Sequence, residues 1–225
     1  MQELLQTIEI ETGKNPAASV IWMHGLGADG NDFAPVVPGL GLPRTPAIRF
    51  VFPHAPMRPV TINNGLVMRA WYDVTFADLE GTSERPDESG VRDSREKIAA
   101  LIGRELQRGI ASERIVLAGF SQGGAMALET GLRYPSRLAG VIALSTYLPL
   151  AHSLPQEAAA ANRATPVFMA HGTFDPVVPY AMGAGSRTLL AGLGYPVEWH
   201  EYAMQHSVCP DEIEDIAKWL TRILR

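Results

Sequence analysis

Two short stretches of the sequence concentrate residues that can do chemistry. "GFSQGG", from Gly119 to Gly124, places a serine between glycines, after the apolar run "RIVLA" and before a stretch that is apolar nearly all round. "MQHSVCP", from Met204 to Pro210, holds a histidine, a serine and the only cysteine of the chain. A serine hydroxyl is a weak nucleophile near neutral pH, so it needs a histidine as base and an acid that orients the histidine.

The G-x-S-x-G pattern at a strand-to-helix turn predicts that Ser121 is the nucleophile. Such a turn leaves no room for side chains at its glycines and holds the serine hydroxyl at the top of the sheet. The following helix offers backbone N–H groups to a developing oxyanion, and we expect Gln122 to supply one of them. We expect the second oxyanion donor to be Leu26, in the early "HGLG" (24–27), which resembles the H-G motifs of esterases.

The order of residues along the chain selects the partners of this serine. In enzymes with this turn the acid follows the serine and the histidine follows the acid, each on a loop after a strand. Of the six histidines, only His200 and His206 follow a suitable acid, and His200 lies inside the apparent strand "VEWHEY". His206 is therefore the predicted base. Asp175, in the proline-stiffened "HGTFDPVVP", is the predicted acid, and Cys209 is interpreted as a packing residue.

Short apolar and β-branched runs predict the strands that position these residues. The middle runs are almost continuously apolar, as parallel strands covered on both faces are, whereas the first and last alternate like edge strands. Apolar residues at helical spacing separate several of these runs, and the chain ends in such a stretch, opened by Pro210. The alternation predicts a central, mostly parallel twisted sheet with helices on both faces. One predicted buried helix stripe consists of Ile98, Leu101, Ile102 and Leu106.

Length, charge and composition restrict the class of protein. The 225 residues suit a single domain, 1–225, and a net charge of -5 without a basic run argues against nucleic acid. The first residues include acids where a signal peptide needs basic ones, and no apolar run is long enough to span a bilayer. A single cysteine suits a reducing compartment. We expect a cytoplasmic protein that is not an integral membrane protein, with a long irregular segment at about 53–90 covering the active site.

A glycine motif leaves a different function open. "GLGADG" (25–30) matches the G-x-G-x-x-G fingerprint of dinucleotide binding and follows a predicted strand. The fingerprint also requires a long helix and an acid about 20 residues later. Pro35 and Pro38 interrupt any such helix, and no Asp or Glu occurs between Asp32 and Asp73. A nucleotide-binding oxidoreductase therefore stays a remote alternative.

Several motifs together resemble the acyl-protein thioesterase and carboxylesterase family of α/β-hydrolases. They follow one another in order through nearly the whole chain, and several are long. The form "HGLGADGNDF" is similar to the prokaryotic carboxylesterase branch rather than to the depalmitoylating members. The motifs are "HGLGADG", "FPHAPMRPVTINNGLVMRAWYD", "GFSQGG", "HGTFDPVVP" and "YAMQHSVCP".

The resemblance implies the α/β-hydrolase fold and a reaction. It implies hydrolysis of small-molecule or lipid-like carboxylic esters, and of acyl thioesters, through an acyl-enzyme on Ser121 with Asp175 and His206. It implies no metal and no cofactor, and pairing into homodimers as in many relatives. Lysophospholipase and protein-depalmitoylating thioesterase activities are alternatives, and an inactive scaffold that binds a ligand is a remote one.

The irregular segment supplies candidates for an acyl pocket. An apolar chain needs an apolar wall, and methionine suits a wall that adapts to different ligands. The alternative is that the same side chains only pack the segment onto the sheet. The candidates are Leu66, Met68, Trp71 and Tyr72.

Overall fold

The fold is built on a seven-stranded sheet in the order β1-β3-β2-β6-β7-β8-β9. The computed structural model describes residues 4–42, 46–83 and 86–225. β1 is antiparallel to β3, and every other pair of neighbours in the sheet is parallel. The strands are β1 (Thr7–Glu11), β2 (Ala18–Met23), β3 (Ile48–Pro53), β6 (Ile115–Phe120), β7 (Gly140–Leu144), β8 (Val167–Gly172) and β9 (Val197–Tyr202). The two alternating runs, β1 and β9, are the edge strands, as predicted.

Helices cover both faces of the sheet, which confirms the predicted fold class. Along β2, Ile21 and Met23 join the core formed with α3 (Glu88–Gln107) and α4 (Gln122–Arg133), while Val20 and Trp22 join the core under α7 (Pro210–Ile223). All residues of α4 are buried, because this helix is packed between the sheet and α3. The helices are α1 (Val36–Gly39), α2 (Phe76–Glu80), α3 (Glu88–Gln107), α4 (Gln122–Arg133), α5 (Leu154–Glu157), α6 (Tyr180–Gly192) and α7 (Pro210–Ile223).

The segment expected to be irregular contains a β-hairpin. Strands β4 (Met57–Val60) and β5 (Leu66–Arg69) pair in antiparallel fashion. Asn64 and Gly65 adopt left-handed backbone angles, which an Asn-Gly dipeptide tolerates in a hairpin loop. The short helix α2 follows, with Thr75 and Asp78 forming a capping box at its start. The Asn-Gly signal was present in the sequence, but the prolines around it obscured the strands.

Helix α3 carries the predicted apolar stripe in part. Ile98, Leu101 and Ile102 are fully buried, but Leu106 is 39% exposed. The neighbouring Glu105 is buried in its place, because its carboxylate lies 2.9 Å from the guanidinium of Arg49 on β3. Within the described ranges, no helix combines the length and the apolar character needed to cross a membrane.

Candidate active site

Ser121 lies on a strained turn between β6 and α4. Its backbone angles are φ 53° and ψ −121°, a region that a residue other than glycine occupies only when its surroundings impose it. A methyl group at Gly119 would overlap the carbonyl of Gly123, and one at Gly123 would overlap the carbonyl oxygen of Met23. The flanking glycines therefore allow the turn to approach both α4 and β2 closely, as the G-x-S-x-G pattern predicts.

His206 and Asp175 form a continuous hydrogen-bond chain with Ser121. His206 Nε2 lies 2.9 Å from Ser121 Oγ, and His206 Nδ1 lies 2.7 Å from Asp175 Oδ2. The imidazole packs against the ring of Phe120, with ring centroids 4.7 Å apart. With a proton on Nδ1, the ring donates to the carboxylate and leaves Nε2 free to accept the serine proton. The structure thus brings together three residues that the sequence separates widely.

The Asp175 carboxylate is held in a charged, oriented state. Its Oδ1 accepts hydrogen bonds from the backbone N–H groups of Val177 (2.8 Å) and Val178 (2.9 Å). Burial raises the pKa of Asp175, but the hydrogen bond with His206 and the two backbone donors outweigh burial, so the pKa lies below its ordinary value. The carboxylate can therefore stabilise an imidazolium at His206 without taking its proton.

A second histidine, His171, supports the loop that carries Asp175. His171 Nε2 lies 2.9 Å from the carbonyl oxygen of Val178 and 3.5 Å from Asp175 Oδ2. Burial lowers the pKa of His171, which favours the neutral ring and a hydrogen bond donated by Nε2–H to that carbonyl. His171 precedes the acid in the sequence and so is not a candidate base, but its ring supports the loop that holds that acid.

Both sequence-predicted oxyanion donors line the cavity beside Ser121. Within the described part of the chain, neither the backbone N–H of Leu26 nor that of Gln122 donates a hydrogen bond to a protein acceptor. Gln122 is the first residue of α4, where N–H groups have no partner inside the helix. The loop of Leu26 is fixed by a bond of 2.9 Å from the N–H of Gly27 to the carbonyl oxygen of Arg69.

His24 anchors the loop that carries Leu26. Its Nε2 accepts a hydrogen bond of 3.0 Å from the N–H of Ala55, so Nδ1 carries the proton and donates to the carbonyl oxygen of Gly25 at 2.7 Å. Trp71 Nε1 donates to the carbonyl oxygen of His24 at 2.9 Å. Burial lowers the pKa of His24 to about 4, which keeps the ring neutral in this network. From the sequence, this histidine is recognisable only as part of the "HGLG" motif.

The Gln122 side chain joins the strained turn to the segment after the hairpin. Its Oε1 accepts from the backbone N–H of Trp71 at 2.7 Å, and its Nε2 donates to the carbonyl oxygen of Tyr72 at 2.8 Å. The sequence pattern predicts a role for Gln122 only through its backbone N–H. No spacing rule identifies this contact, because the partner residues lie about 50 positions away.

An apolar cavity of about 320 Å³ opens beside Ser121, and its wall differs from the predicted one. Of the four candidates, only Tyr72 lines it. Leu66 is 64% exposed on β5, and Trp71 is fully buried with its indole bonded to His24. Met68 packs into a small cluster under the hairpin. The apolar wall comes instead mainly from Leu26, Ile62, Tyr72, Val74, Leu79, Phe120, Tyr147, Val177 and Val178.

The other reactive residues of the loop that carries His206 are not part of the hydrogen-bond chain with Ser121 and Asp175. Ser207 is exposed, and Cys209 is half-buried at the residue before α7. Across the described residues, no group of three or more His, Cys, Asp or Glu side chains is arranged to hold a metal ion.

Known proteins resemble the chain in both sequence and fold. Residues 5–224 match the phospholipase/carboxylesterase family. Acyl-protein thioesterase 1 of Cryptococcus neoformans is 37% identical over 239 residues, covering 100% of both chains. Acyl-protein thioesterase 1 of Neurospora crassa is 42% identical over 215 residues, which covers 92% of this chain and 87% of that protein.

Solved structures agree with the sequence comparisons. SOBER1 of Arabidopsis thaliana aligns with a TM-score of 0.87 at 32% identity, covering 92% of this chain and 99% of that one. Acyl-protein thioesterase 2 of Zea mays aligns with a TM-score of 0.83 at 29% identity, covering 98% and 99%. The chain therefore belongs to the phospholipase/carboxylesterase family of α/β-hydrolases and is a serine hydrolase of acyl esters or thioesters.

Proposed function

We propose that Ser121, His206 and Asp175 are the catalytic triad of a carboxylesterase that also accepts acyl thioesters. One observation carries the proposal: the unbroken chain of hydrogen bonds from Asp175 through His206 to the serine oxygen. The strained turn supports it, since such strain persists where it positions a reactive group.

In the first half-reaction, His206 Nε2 takes the proton of Ser121 as the serine oxygen attacks the substrate carbonyl carbon. The resulting oxyanion accepts hydrogen bonds from the free N–H groups of Leu26 and Gln122. Asp175 stabilises the imidazolium through Nδ1–H. The imidazolium then donates its proton to the leaving alcohol or thiol as the carbonyl–oxygen or carbonyl–sulfur bond breaks, which leaves an acyl group on Ser121.

In the second half-reaction, a water molecule replaces the leaving group. His206 takes a proton from this water as the water attacks the acyl carbon. The oxyanion again accepts hydrogen bonds from the backbone N–H groups of Leu26 and Gln122. The proton then passes from His206 to Ser121 Oγ as the carboxylic acid leaves. His206 carries out each proton transfer, and no step requires a cofactor.

The substrate that fits this site is an ester or thioester with an apolar acyl chain. The cavity beside the serine is mainly apolar, and residues of the 53–90 segment, among them Ile62, Val74 and Leu79, form much of its wall. This segment is thus our candidate cover for the active site. The names of the fungal and maize relatives favour acyl-protein thioesters, whereas the "HGLGADGNDF" motif favours the carboxylesterase branch. Lysophospholipids are a further candidate class.

Three other expectations complete the proposal. A cytoplasmic enzyme would meet intracellular acyl esters, and the single cysteine suits that compartment. We expect the whole chain to act as a single domain and to pair into homodimers, as the family resemblance implies. Light scattering of the purified protein measures its molar mass and so distinguishes a monomer from a homodimer.

The decisive experiment compares turnover of oxygen and sulfur esters by the wild type, Ser121→Ala and Ser207→Ala. Ser207 is the matched control because it is exposed and adjacent to His206. We expect hydrolysis by the wild type and the control, with loss of about 10⁶-fold in Ser121→Ala. A fluorophosphonate should label the wild type and Ser207→Ala alone. Turnover or labelling that survives Ser121→Ala would contradict the assignment, and any turnover excludes an inactive scaffold.

A further inference from the structure

Two tyrosines separate the cavity beside Ser121 from a second cavity. The hydroxyl oxygens of Tyr72 and Tyr147 lie 2.9 Å apart and share a hydrogen bond. Both residues line the cavity of about 320 Å³ at Ser121, and both line a neighbouring cavity of about 310 Å³. Among the described residues that line either cavity, these two alone line both. The hydrogen-bonded pair is therefore the common wall.

The backbones of both tyrosines are tied to the strained turn. The Gln122 side chain donates to the carbonyl oxygen of Tyr72 at 2.8 Å. On the other side, Thr146, directly before Tyr147, donates through its hydroxyl to the carbonyl oxygen of Ser121 at 2.7 Å. These bonds hold the backbone of both tyrosines beside the turn that carries the serine.

The wall presents a polar, uncharged surface to the end of an acyl chain. Burial raises the pKa of both phenols, that of Tyr147 to about 12, so both hydroxyls stay protonated at working pH. In the described part of the chain, neither hydroxyl forms a second hydrogen bond. An apolar chain that reached beyond the pair would have to separate the hydroxyls and leave them without partners in a buried site, which is unfavourable.

The space beyond the wall suits an apolar chain on one side. Val91, Leu148, Leu150 and Met182 contribute to the second cavity. Its other side is polar and includes Asp78 and Asp87, of which Asp87 accepts hydrogen bonds from the backbone N–H groups of Asp73 and Gly90. Opening the wall would therefore add apolar surface for a longer chain.

We propose that the Tyr72–Tyr147 pair sets the upper limit of acyl-chain length in this enzyme. The proposal rests on the proposed function, because it assumes that the acyl chain occupies the cavity beside Ser121. Shorter chains fit between the serine and the pair, and longer chains are rejected because they must break the hydroxyl contact. Tyr72 and Tyr147 thus act as specificity residues and not as members of the reacting chain.

The test measures kcat/KM for p-nitrophenyl esters from acetate to dodecanoate. In Tyr147→Ala, we expect the ratio of dodecanoate to butyrate to rise by about tenfold or more, because the two cavities join. In Tyr147→Phe, the ring stays and only the hydroxyl contact is lost, so we expect a rise of about threefold. Met182→Ala, which enlarges only the second cavity, should keep the wild-type ratio. Tyr147→Leu replaces Tyr147→Ala if thermal unfolding shows the alanine variant to be unfolded.

Binding measured without turnover separates this inference from the proposed function. Displacement of a fluorescent fatty acid by butyrate, octanoate and dodecanoate reports chain length directly, and dodecanoate should bind about tenfold more tightly to Tyr147→Ala than to the wild type. One outcome is that the wild type hydrolyses no ester while dodecanoate still binds more tightly to Tyr147→Ala. That result would contradict the proposed function but support the tyrosine pair as the limit on chain length. An unchanged ratio together with unchanged dodecanoate affinity would overturn the inference.

Discussion

Gln122 Oε1 accepts a hydrogen bond of 2.7 Å from the backbone N–H of Trp71, which ties the residue after the proposed nucleophile to the segment that lines part of the cavity beside it. The same amide donates to the carbonyl oxygen of Tyr72. The motif predicts that Gln122 acts through its backbone N–H, and the structure shows that its side chain also holds the backbone of Trp71 and Tyr72. Because the backbone and side-chain roles use different atoms, mutation can separate them.

Gln122→Ala should keep the backbone N–H that is proposed to bind the oxyanion. It should lose the two side-chain hydrogen bonds that hold Trp71 and Tyr72 in place. The N–H of Trp71 is buried, and leaving it unpaired costs about 1–3 kcal/mol. We expect lower thermal stability and a kcat/KM for medium-chain esters reduced by about tenfold to a hundredfold, mainly through KM. Steady-state kinetics on acetate and octanoate esters check this, since acetate makes little use of the wall. Equal losses for both esters would indicate damage to the reacting groups instead.

Asp175→Asn should inactivate the enzyme while preserving its fold. The amide cannot supply the negative charge that stabilises the His206 imidazolium, and its NH₂ group favours the wrong tautomer of the ring. We expect kcat to fall by about 10⁴-fold, judging from serine proteases. Burst kinetics and circular dichroism are the measurements. A variant with more than about a tenth of wild-type kcat would show that Asp175 does not orient the base.

Glu212 should make the protein less stable as the pH rises. Its side chain is fully buried in the first turn of α7, where the backbone N–H of Cys209 only partly offsets the cost of burying its charge. Burial raises the pKa of Glu212 to about 8. Between its unfolded pKa of about 4.3 and the folded value, the folded state binds a proton that the unfolded state does not, so stability decreases with pH across this window.

Glu212→Gln should remove most of that dependence. At pH 4, where the carboxyl is largely protonated in both states, the variant and the wild type should unfold with similar free energies, and at pH 9 the variant should be more stable by a few kcal/mol, on the order of the shift in pKa. Urea unfolding at both pH values measures the difference. Asp211→Asn is the matched control, because Asp211 is exposed in the same helical turn. A parallel pH profile for Glu212→Gln and the wild type would be inconsistent with a buried neutral carboxyl.

Two glycine-to-alanine substitutions should have opposite effects. At Gly123 a methyl group would overlap the carbonyl oxygen of Met23, so Gly123→Ala must displace the turn that carries Ser121. At Gly103 in α3 a methyl group meets nothing within 4 Å, and Gly103→Ala should stabilise the helix by about 0.5–1 kcal/mol. Thermal unfolding and ester hydrolysis distinguish the two. A fully active Gly123→Ala would mean that the turn tolerates a side chain there.

The three proposed triad residues could be selected from the sequence because each follows a recognisable strand. Ser121, Asp175 and His206 come after β6, β8 and β9, and the carboxyl ends of parallel strands meet at one edge of a sheet. Local pattern is enough for such positions, since the strand signal and the G-x-S-x-G turn are both short-range. The loop of Leu26 follows β2 and lies at the same edge.

Neither the buried face of α3 nor the walls of the site could be selected in this way. Glu105 is buried and Leu106 exposed because Arg49, on a strand far away in the sequence, supplies the partner charge. Tyr72 and Tyr147 meet through their hydroxyls although no motif links them. Such contacts depend on the directions of side chains from separate loops. The sequence by itself determined the sheet, the order of the loops and the reactive groups, whereas only the tertiary structure decided which side chains enclose the substrate, because packing between distant segments has no local signature.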